Sequence, residues 1–217
     1  DNSIPLNYSR NRMKKKILII SSIIVGLILL VGAIFSYLNF KPPTQEEINQ
    51  YEQLLSDGDL LREAREYSEA IVKYNNAAKV IHSDGRAYSR IVDIYLLKND
   101  FESAEEIAQK AQDRASASDM SLIYADIGEK YFNTNDFYNA SMNYEIAESL
   151  NSNPKVNLGL AKAYVYNKKF DLAKGLLNKE FDSDTVDDAK LLHAYILGTE
   201  NTDKAKKLIG DYTVSDE

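Results

Sequence analysis

The segment Tyr67-Ser68-Glu69-Ala70 places an aromatic residue three positions before an alanine, and this arrangement returns three times along the chain. The later copies are Phe101-Glu102-Ser103-Ala104, Phe137-Tyr138-Asn139-Ala140 and Phe170-Asp171-Leu172-Ala173. The four alanines are spaced by 34, 36 and 33 residues. Such a period, with small and large apolar residues in fixed phase, is typical of stacked helical hairpins that bury their apolar faces only against one another.

In these segments the chain resembles the tetratricopeptide repeat (TPR) family. The family also has a small residue and then an aromatic residue in the first helix of each hairpin, as in Gly128 and Tyr131. It has an aromatic residue and then alanine in the second helix, as in Tyr144 and Ala147. The repeat-defining packing positions are Gly58, Ala70, Tyr74, Ala77, Tyr95, Ala104, Ala111, Gly128, Tyr131, Ala140, Tyr144, Ala147, Tyr164 and Ala173. The resemblance covers residues 51–212 and implies an all-α, right-handed α-solenoid of about four to five hairpins.

The end of the chain departs from the family pattern. Leu177 and Glu180 stand where the fourth hairpin should have an aromatic residue and an alanine, and Thr202 stands where a fifth should have its aromatic residue. We therefore expect a weaker fifth hairpin, from Val186 to Ile209, that acts as a terminal cap.

An uncharged run of 22 residues, from Ile17 to Leu38, precedes the repeats. As an α-helix it would extend roughly 33 Å, enough to cross the ~30 Å hydrocarbon core of a bilayer. A buried core helix and a cleaved signal peptide are the alternatives. The first is rarely so long without a charge, and the second needs an apolar region of only about 7–15 residues. The run predicts a transmembrane helix, a signal anchor, over residues 17–40.

Basic residues are concentrated on the N-terminal side of this run. Arg10, Arg12 and the three lysines 14–16 precede it, whereas only Lys41 follows closely. Because basic flanks stay in the cytoplasm, the pattern predicts a cytoplasmic tail over 1–16 and a single-pass plasma-membrane protein with an extracytoplasmic TPR domain. Residues 41–50 are interpreted as a short Pro-containing linker and the start of the first helix, and residues 213–217 as a tail.

Composition restricts the class of partner. Residues 44–217 contain 20 Lys and Arg against 32 Asp and Glu, and this acidity argues against binding nucleic acid through its phosphates. The chain has no cysteine, which excludes disulfides and zinc–thiolate sites.

The sequence contains no arrangement that favours catalysis. His82 and His193 are its only histidines and lie far apart, and no P-loop, dinucleotide-binding or nucleophile-elbow motif occurs. Neighbouring acids such as Asp187 and Asp188 do not face each other on a helix. We therefore expect no catalytic residue, no cofactor, no metal site and no small-molecule substrate.

The TPR resemblance does suggest a partner-binding groove, because partner peptides of the family lie against the first helix of each hairpin. The residue after the small one faces the groove, and here it is Asp59, Asp93, Glu129 and Lys162 in successive hairpins. An acidic stripe of this kind suits a basic or extended peptide; the alternative is a solvated face of an acidic protein. Further groove candidates are Arg86, Arg90, Leu97, Phe132 and Tyr166.

The function expected from these features is that of a non-enzymatic, membrane-embedded adaptor or scaffold. Its groove would bind a peptide or an envelope protein and assist exported proteins in a bacterial cell envelope. The alternative is a permanent structural subunit of an envelope assembly such as a secretion, pilus or division apparatus. An enzyme acting in the envelope is a third class, for which the sequence offers no site residues.

Overall fold

The computed structural model describes residues 20–32 and 42–200, which fall into two compact units divided after Thr44. Every regular element in these ranges is an α-helix, as the repeat pattern predicts. The predicted tail of residues 1–16, the tail of residues 213–217 and the second half of the fifth hairpin lie outside the described residues.

The first unit contains helix α1, whose described part is residues 20–32. Across residues 20–32 and 42–200, no helix has the length and apolar character to cross a membrane. This finding contradicts the predicted single-pass plasma-membrane location. Residues 17–19 and 33–40 of the predicted anchor lie outside the described residues.

The second unit is built of helices that pair in chain order. Helices α2 and α3 form the first hairpin, α4 and α5 the second, α6 and α7 the third, and α8 and α9 the fourth, with α10 packed against the last pair. Their bounds are α2 Gln45–Glu63, α3 Tyr67–Val80, α4 Arg86–Leu97, α5 Phe101–Ala111, α6 Ala117–Asn133, α7 Phe137–Leu150, α8 Pro154–Tyr166, α9 Phe170–Leu177 and α10 Val186–Glu200.

The four recurring segments mark where the second helix of each hairpin begins. Their aromatic residues are the first residues of α3, α5, α7 and α9, and their alanines are fully buried. Side chains cap two of these helices: Asp100 accepts a hydrogen bond from the Ser103 backbone N–H at 3.2 Å, and Asp136 accepts one from the Asn139 N–H at 3.1 Å. Such caps satisfy N–H groups that a helix start leaves unpaired.

The turn inside each hairpin contains one residue with a left-handed backbone. These residues are Arg65, Asn99, Asn135 and Lys168, with φ between 55° and 64°. Asparagine tolerates this conformation better than most other non-glycine residues. The residues of the two middle turns therefore suit this backbone conformation better than Arg65 and Lys168 do.

Glycines admit tyrosine rings between the helices. A Cβ placed on Gly58 would lie 2.5 Å from Cε1 of Tyr74, and one placed on Gly159 would lie 2.5 Å from Cε1 of Tyr144. Gly128 lies on another side of the Tyr144 ring, where a Cβ would be 3.0 Å from Cδ2. Close helix contact therefore depends on small residues at these points, as expected for a stack of hairpins.

Candidate partner-binding groove

The first helices of the hairpins line two adjoining cavities. The central cavity has a volume of about 390 Å³ and the second cavity about 290 Å³. The central cavity is lined by Arg62, Asp93, Leu96, Leu97, Asp126, Glu129, Lys130 and Asn133. The second is lined by Glu129, Phe132, Asn133, Tyr144, Lys155, Leu158, Gly159 and Lys162. Because Glu129 and Asn133 line both, the cavities form one groove across α4, α6 and α8.

The repeat register explains why these side chains meet. Asp93, Glu129 and Lys162 each follow a buried residue at the same position of α4, α6 and α8. Residues three or four positions away lie on the same helix face, and so Leu97 and Asn133 join them. Tyr166, four positions beyond Lys162, lines neither cavity.

Asp59, the first predicted groove acid, is neutralised within the protein. Its carboxylate accepts hydrogen bonds from Arg90 Nε at 2.8 Å, from a second Arg90 nitrogen at 3.1 Å and from the Tyr74 hydroxyl at 2.7 Å. Burial acts to raise the pKa of Asp59, but the bonds from Arg90 and Tyr74 outweigh it and hold this pKa below its usual value. We call this contact between α2 and α4 the first junction.

Arg86 also serves the first junction. Its guanidinium lies 2.8 Å from Glu52 and 2.7 Å from Asp84, and 5.1 Å from the centre of the Tyr51 ring. Asp59, Arg86 and Arg90 therefore hold neighbouring hairpins together, and none of them lines either cavity.

Lys162 is paired at the other end of the groove. Its ammonium nitrogen lies 2.7 Å from Asp188 of α10. Lys162 lines the second cavity with its charge already opposed, whereas Lys155 in the same cavity has no salt-bridge partner among residues 20–32 and 42–200.

The centre of the groove holds three acids with little compensation. Asp126 has no side-chain hydrogen bond or ion pair in the described part of the chain, and the nearest cation to Asp93 is Arg62 at 3.9 Å. Burial raises the pKa of Asp126 to about 6, with Asp93 and Glu129 adding to the rise and Lys155 opposing it. Burial also raises the pKa of Asp93. We call this contact between α4 and α6 the central junction.

Apolar side chains accompany these acids. Leu97 is 59% exposed at the central cavity, beside the buried Leu96. Phe132 meets the rings of Phe137 and Tyr166 edge-on, each at 5.2 Å between ring centres, and Phe137 stacks on Tyr166 at 4.4 Å. Phe132 and Tyr166 therefore belong to one aromatic cluster, and 58% of Tyr166 remains exposed.

Sequence reasoning missed several of the lining residues, namely Arg62, Asp126, Lys130, Asn133, Lys155 and Leu158. Most of them lie three, four or seven positions from a predicted groove residue. Extending each groove position by one and two helical turns would have identified all of them except Lys130, which directly follows Glu129.

The chemistry of the groove is that of binding charged and apolar groups. Within residues 20–32 and 42–200, no group of three or more His, Cys, Asp or Glu side chains is placed to hold a metal ion. Asp93, Asp126 and Glu129 line the central cavity together with Arg62 and Lys130.

No known family model matches the chain, and no curated protein sequence matches it. Among solved structures, it is similar to YrrB, described as a TPR protein with an unusual peptide-binding site, with a TM-score of 0.52 and 18% identity over 72% of this chain and 81% of that one. It is also similar to MamA, with a TM-score of 0.51 and 18% identity over 70% of this chain and 89% of that one. The predicted TPR fold is thereby confirmed.

Proposed function

We propose that this chain is a non-enzymatic interaction adaptor that holds an extended segment of a protein partner in the groove across α4, α6 and α8. The observation that carries the proposal is the continuity of the two cavities through Glu129 and Asn133. A groove that crosses three successive helices favours a long, narrow ligand over a compact one.

The spacing of the helices supports an extended peptide. Packed helices lie about 8–10 Å apart, and an extended chain advances about 3.3 Å per residue. A bound segment would therefore present roughly every third residue to a new helix. The groove offers an acidic and aliphatic site at the central cavity and an aromatic and basic site at the second, so the order of side chains along the segment would determine its affinity.

Two further observations support a protein partner. The acid excess of residues 44–217 disfavours nucleic acid. In addition, one neighbour in fold, YrrB, is described as having a peptide-binding site.

Site-specific crosslinking tests the proposal. A photoreactive phenylalanine analogue replaces Leu97 in the groove or, as the control, Val72 on α3; the native side chains are 59% and 58% exposed. Irradiation of cells containing the full chain, followed by mass spectrometry, should yield one mapped partner segment from position 97 and not from position 72. Equal labelling of the same proteins from both positions would contradict the proposal.

A second candidate, a permanent subunit of a larger assembly, is favoured by a different surface. Tyr138, Met142 and Ile146 are exposed at four-residue spacing along α7. The equivalent positions of α5 hold Glu102, Glu106 and Lys110. Co-purification at fixed ratio in high salt, lost on Met142→Glu and kept on Leu97→Glu, would favour the permanent subunit over the adaptor.

A further inference from the structure

The first and central junctions differ at one equivalent residue. At the first junction, Asp59 of α2 is met by Arg90 of α4. Arg90 lies two positions before the small residue of its helix, and the residue at that position in α6 is Asp126. Asp93 of α4, the counterpart of Asp59, therefore faces a carboxylate where the previous hairpin supplies a guanidinium.

This difference leaves the negative charge of the central junction without a cation at the place that Arg90 holds in the first junction. The central cavity places Asp93, Asp126 and Glu129 along its wall, and Arg62 approaches Asp93 only to 3.9 Å while also lying 4.0 Å from Asp59. Lys130 lines the same cavity, and within the described residues it forms no ion pair with these acids. Of the other groove charges, Lys162 is already paired with Asp188, whereas Lys155 of the second cavity has no ion pair within the described residues.

We propose that the central cavity receives an arginine side chain of the bound segment. Its guanidinium lies between Asp93 and Asp126, in the place equivalent to that of Arg90 beside Asp59. This inference rests on the proposed function, because it assigns one side chain of the segment that the groove holds. It goes further by naming the type of that side chain and the cavity that binds it.

Arginine fits the cavity better than lysine or a metal ion. A guanidinium presents five N–H donors in a plane and can bond two carboxylates at once, whereas an ammonium is a compact point charge. The aliphatic stem of arginine would pack along Leu96 and the exposed Leu97. Within the described residues, no group of these acids is placed to hold a metal ion.

The first experiment selects peptides with the full chain from a phage-displayed library of random dodecapeptides. We expect the selected peptides to share an arginine at a fixed distance from an apolar residue. A selected peptide is then synthesised with arginine or with citrulline, which keeps the shape and removes the charge. Because a hydrogen bond to a charged group is worth about 1.5–3 kcal/mol, citrulline should weaken binding by about tenfold or more.

Variants of the chain locate that arginine. In Asp126→Asn the replacement by citrulline should change affinity less than about threefold. Asp113→Asn makes the same change of charge at an exposed residue of the turn between α5 and α6, outside both cavities, and should preserve the full effect. An equal effect of citrulline in all three proteins would overturn the inference.

Asp126→Arg provides the opposite test, since it supplies from within the protein the group that the partner is expected to provide. Its thermal midpoint should rise, and its affinity for the arginine peptide should fall by more than tenfold. Unchanged affinity in a folded Asp126→Arg variant would also overturn the inference.

The outcomes separate this inference from the proposed function. Peptides that bind in the groove, as judged by loss of binding on Leu97→Glu, but contain no arginine would overturn the inference and leave the adaptor intact. Failure to select any peptide that depends on Leu97 would overturn both.

Discussion

The first and central junctions have the same helix register but opposite chemistry. At the first junction Asp59 is held by Arg90 and Tyr74, and Arg86 ties Glu52 to Asp84. At the central junction Asp93, Asp126 and Glu129 line an open cavity. The comparison indicates that one repeat unit can serve either to join hairpins or to bind a partner, depending on whether the opposing residue is basic or acidic.

The largest effect should come from two glycines that pack against tyrosine rings, Gly58 against Tyr74 and Gly159 against Tyr144. Gly58→Ala and Gly159→Ala would each place a methyl group 2.5 Å from a tyrosine ring atom. Overpacking costs about 1–3 kcal/mol, against a gain in helix propensity of about 1 kcal/mol. We expect each to lower the free energy of unfolding by up to about 2 kcal/mol in urea titrations.

Gly175→Ala is the control for this pair, because nothing lies within 4 Å of the added methyl group. It should raise stability by up to about 1 kcal/mol through helix propensity alone. Equal effects at all three glycines would show that packing against Tyr74 and Tyr144 does not limit the approach of the helices.

Arg90→Gln should break the first junction alone. It removes two hydrogen bonds to Asp59 and leaves that carboxylate half-buried with only Tyr74 as a close donor. Allowing for partial solvent screening, we expect a loss of about 1–2 kcal/mol in chemical unfolding. Lys110→Gln, which removes an exposed ion pair with Glu106, is the control and should change stability by less than about 0.5 kcal/mol. A loss no greater than that of the control would contradict the stabilising role of Arg90.

Asp126→Asn should raise the free energy of unfolding, whereas Arg90→Gln lowers it. Because the pKa of Asp126 in the folded state is raised to about 6, above its usual ~3.9, its charged form destabilises the fold above pH 6. Removing the charge should raise stability at pH 7 by up to about 1 kcal/mol.

The same pKa fixes how this gain depends on pH. As the pH falls through 6 towards 4, the folded protein takes up the proton before the unfolded one, and wild-type stability approaches that of Asp126→Asn. Urea titrations at pH 7 and pH 5 should show the difference between the two proteins shrinking. A difference that grows at pH 5 would contradict the assignment.

The smallest effect concerns the turn of the first hairpin. Arg65 has a φ of 63°, whereas the two middle hairpins have asparagine at the equivalent place. Arg65→Asn should raise the thermal midpoint by an amount corresponding to about 0.5 kcal/mol, and Asn135→Arg should lower it similarly. A decrease for Arg65→Asn would show that the Arg65 side chain contributes more than its backbone strain removes.

Much of the fold could be predicted from the sequence, because the spacing of Ala70, Ala104, Ala140 and Ala173 follows directly from the size of a hairpin. The location was predicted wrongly. No helix within residues 20–32 and 42–200 is both long and apolar enough to cross a membrane.

The groove could be predicted only in outline. One position per helix led to Asp93, Glu129 and Lys162, which do line the cavities. Their partners could not be predicted in the same way. The pairs Asp59–Arg90 and Lys162–Asp188 join residues 31 and 26 positions apart. Such pairing depends on the offset between packed helices, which a repeat period does not specify. The assignment of the groove to a partner remains a prediction.

The most direct test of the account compares Arg90→Gln and Asp126→Asn for both stability and binding of the segment crosslinked from position 97. The account predicts that Arg90→Gln loses stability and keeps its affinity for the segment, whereas Asp126→Asn keeps or gains stability and loses about tenfold in affinity. Equal loss of affinity in both variants, or loss of affinity confined to Arg90→Gln, would contradict it.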